Sequence, residues 1–137
     1  MPLPRIGVVI VTMGTRPQEL DALPESVARQ SVRATHVVVV GNATPLTGVA
    51  RWVTRVPLEE NLGCPGGRNV GLRLLLGSGE VDVVVELDDD GLLIADEVFA
   101  RVQRLYAADP ALGIVSFRVA DEQGADAAAA RSPAAGG

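Results

Sequence analysis

The chain has 137 residues, 47% hydrophobic and only 3% aromatic, with a formal net charge of −5. That length supports one compact domain whose core must be built from Val, Leu, Ile and Ala, and the acidic balance argues against a nucleic-acid-binding surface. One cysteine (Cys64), one histidine (His36) and no lysine exclude an intrachain disulfide, a cysteine-based or His-rich metal cluster, a Walker-type phosphate loop and Schiff-base chemistry.

In chain order, Arg5 to Thr12 reads as a buried strand, followed by the loop Met13-Gly14-Thr15. A helix is predicted from about Pro17 to Gln30, capped by Thr15, apolar along Leu20, Leu23 and Val27, and kinked at Pro24. Thr35 to Val40 is a second strand ending in the turn Gly41-Asn42-Ala43-Thr44-Pro45, and Arg51 to Val56 a short third strand. The glycine-rich loop Pro57 to Gly67 leads into a helix from about Gly67 to Leu76, which Gly77-Ser78-Gly79 stops. Val81 to Leu87 is a fourth strand, Asp96 to Ala107 a third helix and Leu112 to Val119 a fifth strand. Strands alternating with helices predict a three-layer α/β fold, a mainly parallel sheet of about five strands with helices on both faces. Residues 1–121 form the domain, and 122–137 read as a disordered Ala/Gly-rich tail with nothing to bury. No apolar run approaches the roughly 18 residues of a membrane span, and Met1 to Arg5 lacks a secretory signal, so the chain reads as cytoplasmic.

Chemistry concentrates in two stretches. Glu86-Leu87-Asp88-Asp89-Asp90 stands at the carboxyl end of a strand, where open α/β sheets bind ligands. By strand alternation Asp88 and Asp90 share one side. Two carboxylates ~6 Å apart repel by roughly 3 kcal/mol at an effective dielectric of about 20. A hard divalent cation, Mg or Mn, turns that cost into a site shared with phosphate oxygens; the plain alternative is a solvated acidic turn. The second stretch, Glu60 to Gly71, combines glycines that permit close backbone approach, a helix amino end and the cation Arg68. Trp52 reads as partly buried core, His36 as a surface or hydrogen-bonded residue, and Cys64 as a loop residue with no nucleophilic role.

Taken in order, Val8 to Thr12 with Arg16-Pro17, Leu23 to Gln30, Val38 to Val40, Glu60-Asn61-x-Gly63, Gly67-Arg68-Asn69-x-Gly71 and Leu87-Asp88-Asp89-Asp90 resemble the motif series of family 2 glycosyltransferases. The resemblance covers about residues 5 to 120. It implies the glycosyltransferase A fold, a nucleoside-diphosphate-sugar donor, an acceptor it does not specify, and a divalent metal, with inversion at the anomeric carbon. The donor-binding set it implies is Thr12, Arg16, Asn42, Arg68, Asp88 and Asp89. Thr12 and Arg16 would border the base, Arg68 the base or diphosphate, and Asp88 the ribose, with Asp90 on the metal. The chain departs from the family at the end of the second strand, where Gly41 replaces an aspartate that reads the base and Asn42 would stand in. The family's catalytic base and acceptor site lie in a further half of comparable length, so the chain is read as the donor-binding half, with its catalytic residue unassigned. Competing readings are a non-catalytic or truncated nucleotide-sugar-binding module, a haloacid-dehalogenase-like phosphatase built on Asp88-x-Asp90-Gly91, and a nucleotidyltransferase. The phosphatase reading lacks its lysine, and the nucleotidyltransferase reading its glycine-rich loop after the first strand.

Overall fold

The computed structural model describes residues 2–121; the tail expected over 122–137 lies outside the described residues. The elements run β1 (Ile6–Thr12), α1 (Pro17–Ala28), β2 (His36–Gly41), β3 (Thr54–Pro57), α2 (Gly63–Gly77), β4 (Val83–Asp88) and α3 (Val98–Ala108). The four strands form one parallel sheet in the order β3-β2-β1-β4. Among the described residues, no helix is long and apolar enough to cross a membrane.

The valine runs explain the centre of the sheet. Every residue of β1 is buried, as befits a parallel strand covered on both faces. Its Ile6, Val8 and Ile10 join Val37 and Val39 of β2 under Leu20, Leu23 and Val27 of α1 and Phe99 and Val102 of α3. The alternate residues Val9 and Val11 join Val38 and Val40 against Leu75 and Val81 on the opposite face, the α2 side. Period-two alternation thus divides one apolar run between two cores, each side chain contributing about 1.5–3 kcal/mol when fully buried. Gly71 lets α2 lie close to the sheet, because a Cβ there would stand 2.3 Å from Val9 Cγ2.

Several expectations are corrected. Leu112 to Val119 forms no strand: residues 112–119 carry no regular structure, and Ile114 is 88% exposed. The segment therefore buries too little to repay its ordering, and the sheet has four strands. The cap of α1 is Arg16, not Thr15, and makes no side-chain cap bond. Pro17 takes the first helical position and holds its predecessor extended, at φ −133° and ψ 65°. α1 continues through Pro24, which is buried, to Ala28; that continuity does not bear on the expected kink, since a kinked helix also continues. The helix expected from Gly67 begins at Gly63. Pro65 falls in its first turn, where no N–H is needed, and Gly66 and Gly67 fit closely against Leu62, Asn42 and Val11. The third strand starts at Thr54 rather than Arg51, which leaves Trp52 in a turn and 53% exposed.

Candidate functional site

The carboxyl ends of β1, β2 and β4 and the amino-terminal turns of α1 and α2 meet at one edge of the sheet. Parallel pairing fixes the neighbours: Val11 faces Asp88 across β1 and β4, and Thr12 faces Gly41 across β1 and β2. Beyond the last register pair, Thr12 Oγ1 donates to Asp89 Oδ2 at 2.7 Å and accepts the Gly14 N–H at 3.0 Å. This buried hydroxyl ties the loop after β1 to the turn after β4.

Glu86 and Asp88 point to the α2 side, in step with Val84. There Arg68, in the second turn of α2, places Nη2 3.0 Å from Asp88 Oδ1 and Nη1 3.4 Å from Glu86 Oε2. Arg68 is the more enclosed partner, and its Nε is buried without a hydrogen-bond partner. A buried guanidinium N–H without a partner is an unmet donor inside the fold. β4 ends at Asp88, so strand alternation no longer governs Asp90. The turn is closed by the Gly91 N–H on the Asp88 carbonyl at 3.0 Å, and Asp90 turns instead to an ion pair with Arg16. Asp88 and Asp90 therefore answer to different arginines, and the repulsion expected between them is offset by two cations.

Asn42, just past β2, is buried. Its Nδ2 donates to the Gly63 carbonyl at 2.9 Å, and its Oδ1 accepts the Leu62 N–H at 3.3 Å. Asn61 Oδ1 accepts the Gly63 N–H at 2.8 Å. Two asparagines thus hold the start of α2, which has no side-chain cap at Leu62. Asn42 spends both polar ends of its amide on that work.

The sequence-level site residues accordingly fall into one neighbourhood, with Thr12 and Asn42 bonded inward and Arg16, Arg68, Asp88 and Asp90 exposed in part. Glu86 belongs with them as the second partner of Arg68, a role legible from its spacing two residues before Asp88 on the same strand face. Ser26 and Gln30 were not legible. Ser26 Oγ accepts the Leu93 N–H at 3.2 Å, and Gln30 spans the Ala95 carbonyl and the Phe99 N–H, pinning the segment after the aspartates onto α1. A cavity of about 270 Å³ adjoins the cluster between α1 and residues 44–49, with Gly14, Pro17, Leu20 and Thr44 in its wall. None of the paired arginines or aspartates lines it; Asp21 is the one charged residue in a wall that is otherwise small and apolar.

Among the described residues no three acidic, histidine or cysteine side chains group closely enough to hold a metal by protein ligands alone. A divalent cation bound with a diphosphate does not require that: one or two carboxylates suffice when phosphate oxygens and water complete the shell.

No family model and no curated protein sequence matches the chain. Solved structures do. The chain is similar to S. aureus TarS 1-349, also solved with UDP and with UDP-GlcNAc, at TM-scores of 0.59. For TarS 1-349 itself identity is 20%, over 82% of this chain and 38% of that one. It is also similar to the mannosyltransferase PcManGT from Pyrobaculum calidifontis, in complex with GDP-Man and Mn2+, with a TM-score of 0.70. Identity there is 25%, over 90% of this chain and 37% of that one. The fold is therefore that of the nucleotide-diphospho-sugar transferases, an α/β sheet with helices on both faces. The chain spans less than two fifths of the length of these neighbours.

Proposed function

We propose that the chain binds the nucleoside-diphosphate-sugar donor of a metal-dependent, inverting glycosyltransferase. The observation that carries this reading is the convergence of two guanidiniums from different elements, Arg16 and Arg68, on the carboxylates at the carboxyl edge of the sheet. Two fixed forks of N–H donors suit a diphosphate. Neighbours of the same fold are solved with UDP-GlcNAc and with GDP-Man and Mn2+, which supports a sugar nucleotide as the ligand class.

In this reading Arg68 takes the diphosphate through its Nη groups, and Arg16 meets it from the β1 side. Thr12 and Asp89 keep the two loops in register, and Asp88 lies toward the ribose. Asp90 is the protein ligand for Mn or Mg, and that cation, when bound, supplies charge neutralisation for the departing nucleoside diphosphate. The acceptor hydroxyl attacks the anomeric carbon opposite the leaving diphosphate oxygen; the new glycosidic bond forms as the old one breaks, and the centre inverts. The chain's own contribution is to bind and orient the donor, and the hydroxyl's proton is assigned to no residue of this chain. Asn42 acts here by holding the start of α2, which positions Arg68 one turn later.

Calorimetric titration of the 137-residue chain with UDP, GDP, dTDP and their sugars, with and without Mn, tests this reading. At least one nucleotide is expected to bind measurably, and more tightly with Mn. A chain that binds none of them under either condition is not a donor-binding domain.

A further inference from the structure

The proposed donor site has a feature that its ligands do not explain. The carboxylates at the end of β4 already have partners on other elements: Asp88 has Arg68, Asp89 has Thr12 and Asp90 has Arg16. The Arg16–Asp90 pair joins residues 74 apart in sequence. It is held from both sides by backbone rather than by the charges themselves. Arg16 is set by Pro17 and by the Leu20 N–H on its carbonyl at 3.0 Å. Asp90 is set by the closed turn at Gly91 and by the Thr12–Asp89 hydrogen bond immediately before it. The two side chains are about equally exposed, at 51% and 49%, so solvent reaches the pair and exchange of partners is open to it.

We infer that Arg16 competes with the divalent cation for Asp90 and gives Asp90 up when a nucleotide diphosphate arrives, so that metal and nucleotide enter the site cooperatively. The inference rests on the donor-binding reading above. A lone cation approaching Asp90 meets a guanidinium already in place and is repelled by it. A diphosphate reverses the balance: it offers Arg16 a partner carrying more charge than one carboxylate, and it brings oxygen ligands that complete the cation's shell. Linkage makes the effect reciprocal, so nucleotide raises the affinity for Mn by the same factor as Mn raises the affinity for nucleotide. Arg16 is in this sense a positioning residue, acting on the metal through Asp90.

The test is Mn2+ binding by the full chain, followed through the electron paramagnetic resonance signal of the free ion, alone and with saturating UDP or GDP. Arg16→Gln is expected to bind Mn alone about three- to tenfold more tightly than the unmutated chain, since an exposed ion pair and one repelling charge are removed together. The factor by which nucleotide tightens Mn binding is expected to shrink in the same variant. Arg16→Lys keeps the charge and is expected to stay within about twofold of the unmutated chain for Mn alone. Arg16 is half-exposed, and a melting curve for each variant establishes that the fold is retained. If the unmutated chain shows Mn-dependent nucleotide binding but Arg16→Gln takes up Mn alone no more tightly, the competition is refuted and the donor site stands. Tightening by Arg16→Lys equal to that of Arg16→Gln also refutes it, because charge is then not the cause. An unmutated chain that binds none of UDP, GDP and dTDP or their sugars, with or without Mn, removes the donor site and the inference with it.

Discussion

The two ends of β4 carry the same kind of residue and use it differently. At the amino edge, Asp82 accepts the Arg5 backbone N–H at 2.8 Å, Arg5 Nε at 3.0 Å and Arg5 Nη2 at 3.1 Å, while that same Nη2 also reaches the Gly79 carbonyl. His36 Nε2 stands 2.6 Å from Glu80 nearby. These contacts close on themselves, and the Arg5 hydrogen bonds hold the Asp82 carboxyl down at about 2. At the carboxyl edge the contacts do not close: Arg68 keeps a buried N–H without a partner, whereas exposure does not separate the edges, since the Arg16–Asp90 and Arg5–Asp82 pairs are both half-exposed. An ion pair that satisfies itself fastens the strands, whereas one with capacity to spare is available to a ligand. The acidic run of residues 80–97 is thus two populations with a half-buried edge strand between them.

The strongest attempt to break this contrast is Asp90→Ala. Metal-dependent nucleotide binding is expected to fall about 100-fold, as a cation's lost protein ligand implies. The melting free energy should change by no more than about 1 kcal/mol, the worth of an exposed ion pair. Calorimetry with nucleotide and Mn, run beside a denaturation curve, reads both. Undiminished binding would show the triple aspartate to be a solvated acidic turn.

Asn42→Ala sharpens the contrast from within the carboxyl edge. Asn42 lies there yet behaves as a fastener, so its loss is expected to destabilise the fold by about 1–3 kcal/mol, leaving the Leu62 N–H and Gly63 carbonyl unmatched. A urea midpoint should fall with no change in slope. If stability holds while the preference among UDP, GDP and dTDP shifts, Asn42 reads the base, as the family resemblance implies.

The smallest effect lies at the amino edge. A carboxyl whose folded value lies below its ordinary 3.8 contributes stability that is complete above that value and lost as the pH falls toward about 2. Arg5→Gln should return the Asp82 titration toward 3.8, measurable by carboxyl-carbon NMR, and flatten the stability–pH curve between those two values. Nucleotide binding at neutral pH should be unaffected. A loss of binding in this variant would mean that the two edges are not separable.

Much of this protein was legible in its sequence, because the signals were local. Val8 to Val11 and Val37 to Val40 could only be buried strands, and helices between them force parallel pairing. Placement of Asp88 to Asp90 at a strand end followed from the apolar run before them. Other features depended on partners far along the chain. The start of α2 is set by Asn42, some twenty residues upstream, which no local cap rule could foresee. Leu112 to Val119 has strand-like composition, yet a strand also needs a paired edge to satisfy its backbone. The guanidinium that each aspartate meets was decided only by the tertiary structure. Arg16 and Asp90 are separated by five elements of chain and brought together by the β1–β4 register. Composition and periodicity determine the buried strands at the centre of the sheet; pairing between distant charges has no sequence period and is settled by packing alone.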